Sequence, residues 1–214
     1  MDRRKFLQYS AAAGALTAAG PGVKMASAAK KSNSLVYASP GTPQSLDSEF
    51  DASLGTFDAV STCYDSLLDY DHIPDPKVAG VQRENITFDK NIEGGFKMTG
   101  KLAESWEISK DTSTVTFKLR EGVKSHWGNE LTADDVKWSW ERKLALGAIG
   151  GFFAGVIGLE KPEQIQVNSK YAVTFKLDKP SPMLFRLHRN PYNNIYDTKK
   201  VKEFATSDDP WAKD

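Results

Sequence analysis

The chain has 214 residues, with 28 basic and 28 acidic side chains and a single cysteine. Hydrophobic residues make up 40% of it and charged residues 26%, which is the composition of an ordinary globular protein. The balanced charge argues against a nucleic-acid-binding protein, and one cysteine excludes an intramolecular disulfide or a cysteine-based metal cluster. Because Cys63 lies in an apolar-periodic stretch, we expect it to be a small buried side chain.

The first 28 residues have the three parts of a cleavable export signal. Arg3 and Arg4 belong to a charged opening, a run of small apolar residues follows, and the sequence from Ala26 to Ala28 is a small-residue cleavage site. The apolar run is shorter than the ~20 residues of a membrane-spanning helix, and the paired arginines resemble a twin-arginine signal. We expect cleavage after Ala28 and an extracytoplasmic mature protein with a net charge of about −3. The alternative is an amphipathic N-terminal helix that stays on the protein.

The next stretch predicts a short strand, a helix and an insertion. Residues 35–38 have the apolar run of a buried strand. The apolar residues between Thr56 and Leu68 recur at steps of three and four, which predicts an amphipathic helix after a loop at 51–55. The polar, turn-rich segment 69–101 is long for a connection, and predicts a local hairpin or a mobile insertion with one strand at 86–88.

The second half predicts two strand pairs and two helices. The strands have alternating or continuous apolar patterns, at residues 106–108, 115–119, 165–167 and 172–177. A helix should begin after Thr132, because Asp135 three residues later completes a capping-box pattern. It should run to about Leu146, with Val136, Trp140 and Leu144 on one face. The glycine-rich segment 147–158 predicts a loop, and residues 183–188 predict a short helix.

An ordered series of motifs then identifies a family. The series consists of Ser45-Leu46-Asp47, Tyr64-Asp65-Ser66-Leu67-Leu68, Leu102-Ala103-Glu104-Ser105-Trp106-Glu107, Thr116 to Lys124, His126 to Val136, Ser139-Trp140-Glu141-Arg142 and Val173-Thr174-Phe175-Lys176-Leu177. It resembles the signature of family 5 extracellular solute-binding proteins, the peptide- and nickel-binding receptors of ABC importers. Departures at Lys101, Ser125 and Trp127, and a long connection at 71–100, concern local packing and the entrance of the site.

The resemblance implies an α/β fold of the type II periplasmic-binding-protein kind, with two lobes and an extra small domain that close on a solute. We expect only the N-terminal portion here, part of lobe I plus the small domain, in a chain that looks truncated. After the signal, at 1–28, the expected boundaries are 29–64 for the first segment of lobe I, 65–189 for the small domain with the insertion 71–101, and 190–214 for the return to lobe I. The alternative is that the fragment does not fold stably without partners beyond Asp214.

The same resemblance implies a binding function without catalysis or cofactor. The solute would be an oligopeptide or a similar small molecule, delivered by a monomeric receptor to an ABC permease and its ATPase, with no nucleic-acid partner. Backbone groups of Ala52, Ser53 and Leu54 would contact the peptide, since main-chain groups are common to all peptides. Phe152, with Phe153 beside it, would supply an aromatic contact; the alternative is that both are core residues.

Two other functions stay open. A member of this family can bind a nickel chelate, haem, an opine or a sugar instead of a peptide. An exported cofactor enzyme would need a ligand cluster or a dinucleotide-binding loop, and the sequence has neither motif. His72, His126 and His188 are far apart in sequence and lie beside no cysteine or histidine partner, so we expect no metal site from them.

Overall fold

The computed structural model describes residues 41–92, 95–190 and 192–213. The predicted export signal, with Arg3, Arg4 and Ala28, and the predicted strand at 35–38 lie outside these residues. The α-helices of the described part are Leu54–Cys63 (α1), Ala133–Leu146 (α2), Ile149–Val156 (α3), Met183–Leu187 (α4) and Thr198–Val201 (α5), and a 3-10 helix spans Pro162–Gln164. The strands are Leu68–Tyr70 (β1), His72–Pro74 (β2), Gln82–Glu84 (β3), Met98–Gly100 (β4), Ala103–Ile108 (β5), Thr114–Leu119 (β6), Ile165–Ser169 (β7) and Ala172–Lys176 (β8). None of the described helices has the length and apolar character needed to cross a membrane.

A four-stranded antiparallel sheet in the order β5-β6-β8-β7 forms the centre of the fold. Both predicted strand pairs are confirmed, and β6 joins them by pairing with β8, where Phe117 lies opposite Val173. Apolar and polar residues alternate along β6, and the apolar ones, Val115, Phe117 and Leu119, are buried in the core. Two smaller antiparallel pairs, β1-β4 and β2-β3, accompany the sheet.

Helix α2 packs its apolar face on this core, as the sequence predicts. Val136 and Trp140 are fully buried, and Leu144 packs against them. At its beginning, the backbone N–H and the hydroxyl of Thr132 both donate to Asp135 Oδ2 at 2.8 Å. At its end, Gly147 adopts a left-handed conformation with φ of 60°, which glycine tolerates without steric cost.

The first helix is shorter than predicted, and it begins and ends earlier. Helix α1 spans Leu54–Cys63 because Ser53 caps it, accepting the Thr56 N–H, and Tyr64 is already extended. The next residues form backbone hydrogen bonds elsewhere: Lys101 N–H donates to Leu67 O at 3.0 Å. Cys63 is exposed at the end of the helix, so the prediction of a buried cysteine is wrong.

The insertion contains a hairpin at a different place from the predicted strand. Strands β2 and β3 pair antiparallel, with Ile73 opposite Arg83. The predicted strand at 86–88 is wrong: this segment has no strand pairing, and Ile86 and Phe88 are exposed. Apolar residue type alone suggested a strand there, but the pairing of β3 with β2 ends before this segment, at Asn85, whose N–H donates to Asp71 O at 2.6 Å.

Residues 149–156 form helix α3, so the prediction of a loop at 147–158 is wrong over these eight residues. Their glycines lower intrinsic helix propensity, but two of them are needed for close packing. A Cβ at Gly150 would lie 2.8 Å from Glu49 Oε2, and one at Gly151 would lie 2.5 Å from Lys143 O. The close contacts with Glu49 and with α2 therefore require glycine at these two positions, and they stabilise the helix in spite of its weak propensity.

Candidate functional site

An open cleft of about 620 Å³ lies where the segment before α1 meets the start of α3. Its lining is mostly apolar and aromatic, and consists of Glu49, Phe50, Ala52, Gly147, Ala148, Ile149, Phe152, Phe153 and Tyr192. Concave apolar surfaces with few polar groups are the usual form of a small-molecule site. We therefore take this surface, the α3 cleft, as the candidate site.

The α3 cleft brings together three of the five residues that the family resemblance assigns to ligand binding. Ala52, Phe152 and Phe153 line it, although 99 residues lie between Ala52 and Phe152 in the chain. Phe152 is 65% exposed, whereas Phe153 packs against the hydrophobic core, with the two rings 5.6 Å apart. Phe153 therefore holds α3 on the core and Phe152 is available to a ligand. Ser53 and Leu54 lie beside the cleft, at the start of α1.

A buried ion pair fixes one wall of the α3 cleft to helix α2. Lys143 Nζ lies 3.1 Å from Glu49 Oε1, and both side chains are fully buried. Lys143 Nζ also donates to Asn194 O at 3.1 Å, and the Gly150 N–H donates to Glu49 Oε2 at 2.9 Å. Glu49 Oε1 has no hydrogen bond of good geometry within the described residues, so its contact with Lys143 is an ionic one. Burial lowers the pKa of Lys143.

A second ion pair lies next to the first. Arg142, which is 2% exposed as a side chain, pairs with Asp47 through both of its terminal nitrogens, with Nη1 3.2 Å from Oδ1. Its Nε donates to Trp211 O at 2.8 Å. The hydroxyl of Tyr196 lies 2.9 Å from Ser48 Oγ, and burial, with the charges of Asp47 and Glu49, raises the pKa of Tyr196 well above its usual value. Asp47 and Glu49 are thus tied to Arg142 and Lys143, two successive positions of α2, and Ser48 between them contacts Tyr196.

The backbone between the ion pairs and α1 is fixed by Asp51. Its carboxylate accepts hydrogen bonds from the N–H groups of Gln44 and Ser53, each at 2.8 Å, and from the hydroxyls of Ser53 and Thr56. These bonds, that from Thr56 first, hold the pKa of Asp51 well below its usual value. Ala52 is exposed between these fixed residues, and its peptide groups form no hydrogen bond with another described residue. The result is a rigid loop that presents Ala52 to the cleft.

A larger cleft of about 650 Å³ lies elsewhere, between the loop 123–131 and the segment 195–204. Exposed Cys63 and Trp127 contribute to its lining, and Asp197 accepts hydrogen bonds there from Ser125 and Asn129. None of the residues predicted to contact the solute lines it. Size alone does not make it the better candidate, because several of its polar side chains already have partners: Asp197 accepts from Ser125 and Asn129, and Glu130 pairs with Lys170.

The three histidines do not meet. His188 is buried among aromatic rings, with its ring centroid 4.2 Å from that of Phe175 and 4.6 Å from that of Phe117. His72 and His126 are exposed. Within residues 41–92, 95–190 and 192–213, no group of three His, Cys, Asp or Glu side chains could hold a metal ion. The described part thus offers no geometry for a metal centre.

Comparison with known proteins gives the chain a family. Residues 97–213 match the family described as "Bacterial extracellular solute-binding proteins, family 5 Middle". The dipeptide-binding protein of Escherichia coli (strain K12) is 30% identical over 168 residues, which are 72% of this chain and 28% of that protein. Heme-binding protein A of Haemophilus influenzae is 47% identical over 58 residues, 24% of this chain and 11% of that protein.

A solved structure supports the fold. The dipeptide binding protein from Pseudoalteromonas sp. SM9913, in complex with Met-Leu, superposes with a TM-score of 0.61 at 20% identity, over 83% of this chain and 34% of that one. The predicted α/β fold of the type II periplasmic-binding-protein kind is thereby confirmed. The chain spans about a third or less of the length of these relatives. The matched proteins are binding proteins and not enzymes, in agreement with the prediction from the sequence.

Proposed function

Because this chain belongs to the family 5 bacterial extracellular solute-binding proteins, we propose that it forms part of an extracytoplasmic receptor for an oligopeptide-like solute. The observation that carries the proposal is the meeting of Ala52 and Phe152 in one cleft. An extended peptide would hydrogen-bond to the backbone at Ala52 and stack a side chain or a peptide plane on Phe152. Ser53 and Leu54 would border this contact.

The domain boundaries predicted from the sequence form part of the proposal. Segments 29–64 and 190–214 would belong to lobe I, and 65–189 would form the small domain. Contacts between the two outer segments support this division: the Phe57 and Tyr192 rings lie 6.0 Å apart, the Tyr64 and Tyr196 rings 5.5 Å. Closure of a second lobe over the α3 cleft would complete the site.

Export and delivery complete the proposed function. The receptor would leave the cytoplasm by the twin-arginine signal, with Arg3 and Arg4 read by the export machinery and cleavage after Ala28. It would then act as a monomer and dock on an ABC permease and its ATPase. N-terminal sequencing of the exported protein tests the first step, and a mature chain that keeps Met1 would contradict it.

Haem is the second candidate solute. The match with Heme-binding protein A has the higher identity, 47% against 30%, although it covers only 58 residues. The lack of a cluster of three His, Cys, Asp or Glu side chains in the described residues does not decide the question, because the α3 cleft could contact a porphyrin through its aromatic rings alone. Peptide remains the first proposal because the longer match is with a dipeptide-binding protein.

Calorimetry with the purified protein separates these candidates. Trialanine and haem are titrated against the wild type, against Phe152→Ala, and against the control Val156→Ala, whose side chain is 69% exposed on the same helix outside the cleft lining. We expect trialanine to bind the wild type and the control alike, and Phe152→Ala about tenfold more weakly. Binding of haem alone would favour the second candidate. Equal affinity of all three proteins for trialanine would refute the role of Phe152.

A further inference from the structure

The chemistry of the α3 cleft indicates which side chains its ligand carries. Three residues that the family resemblance did not identify shape it: Phe50, Ile149 and Tyr192. Phe50 is 49% exposed, Ile149 is partly buried, and Tyr192 is 9% exposed. Together with Phe152 they surround the space next to Ala52 with three aromatic rings and one branched aliphatic chain.

The charge of the cleft is the second observation. Glu49 is the one lining residue with an acidic or basic side chain in the described part of the chain. Its carboxylate is fully buried, faces Lys143 and accepts the Gly150 N–H, so it is not available to a ligand. A charged ligand group in this space would lose water and find no partner, which is unfavourable.

Resting on the proposed peptide-receptor function, we propose that the α3 cleft is a side-chain pocket that selects peptides with an uncharged apolar side chain, aliphatic or aromatic, and rejects charged ones. Phe50, Ile149 and Tyr192 are the specificity-determining residues. The backbone beneath them supports this selection, since two ion pairs, of which that of Lys143 and Glu49 is fully buried, tie Asp47 and Glu49 to α2 and disfavour rearrangement of the lining.

A position scan of trialanine tests the proposal by calorimetry on the purified protein. Leu, Lys and Glu replace each alanine in turn, giving nine peptides. At one position we expect the Leu peptide to bind about tenfold more tightly than the Lys and Glu peptides, a difference of about 1.4 kcal/mol. Equal affinities at every position would overturn this inference and leave the proposed peptide receptor intact. If no peptide binds, the proposed function itself fails.

An introduced charge sharpens the test. Phe50→Asp adds a carboxylate to the edge of the pocket at a half-exposed position, where folding should tolerate it; circular dichroism checks this. At the selective position, the affinity for the Lys peptide should then rise at least about threefold relative to the affinity for the Leu peptide. Val156→Asp, which lies outside the lining, should leave the ratio of these two affinities unchanged. An unchanged ratio in folded Phe50→Asp would place the selective pocket elsewhere and refute the assignment.

Discussion

The buried pair of Lys143 and Glu49 should be essential for stability and should act as one unit. At their separation of 3.1 Å, opposite unit charges attract by about 5 kcal/mol when the effective dielectric constant is about 20. Desolvation of two buried ions costs a similar amount, so the intact pair contributes little in net terms. Lys143→Met removes the attraction and leaves the Glu49 carboxylate desolvated. We therefore expect the free energy of unfolding to fall by about 3–5 kcal/mol, a large part of the 5–15 kcal/mol typical of a domain.

A double-mutant cycle measures this coupling. Urea unfolding, followed by the fluorescence of the five tryptophans, is compared for wild type, Lys143→Met, Glu49→Gln and the double variant. The double variant should lose less stability than the sum of the single variants, by about 1–3 kcal/mol. The matched control is Lys118→Met, which breaks the exposed pair with Glu104 at 2.8 Å and should change stability little. Additive effects of the two single substitutions would refute the reasoning.

Three further predictions concern single residues. His188 is buried without a hydrogen bond to either ring nitrogen in the described residues, and burial lowers its pKa to about 3. In the unfolded chain the pKa of His188 is near 6.5, so the unfolded state takes up the proton first as the pH falls. His188 therefore has little effect on the free energy of unfolding above pH 6.5 and lowers it progressively as the pH falls toward 3, by about 2 kcal/mol at pH 5. His188→Leu should reduce the loss between pH 7 and pH 5 by that amount in urea titrations, and an unchanged loss would contradict it. Gly150→Ala should lower stability by about 1–3 kcal/mol, since its Cβ would lie 2.8 Å from Glu49 Oε2. Gly155→Ala, with nothing within 4 Å, should raise the melting temperature, and a fall in both variants would argue against the steric explanation. Ser53→Ala removes the N-cap of α1 and should cost about 1 kcal/mol by urea unfolding; no change would mean that Asp51 alone holds the turn.

Features set by neighbouring residues could be predicted from the sequence. The capping pair of Thr132 and Asp135, the face of α2 formed by Val136 and Trp140, and the alternation of β6 depend on spacings of two to four residues. Strand and helix periodicity follow from backbone geometry, so the local pattern is enough to recognise them. The order of the family motifs also predicted the α/β fold.

The sequence did not reveal features that depend on contacts between distant segments. The site residues Ala52 and Phe152 were assigned by resemblance, but the side-chain pocket beside them, with Phe50, Ile149 and Tyr192, was not expected. Helix α3 has weak propensity, and forms where Glu49 accepts the Gly150 N–H across 101 positions of the chain. Cys63 was expected to be buried because it lies in an apolar-periodic stretch, but α1 ends at this residue and leaves it exposed, and the chain beyond it pairs Leu68 with the distant Gly100.

The sequence by itself determined the family, the two strand pairs and the main helix, because these follow from local periodicity and an ordered set of motifs, whereas the pairing of β6 with β8 that joins the strands into one sheet came from the tertiary structure. Only the tertiary structure decided that Arg142 and Lys143, two charged residues on a helix, lie buried against Asp47 and Glu49. A charge is stable in the interior only when its partner is present, and neither partner is close in sequence. That long-range pairing sets the position of the loop carrying Ala52, and with it the shape of the α3 cleft.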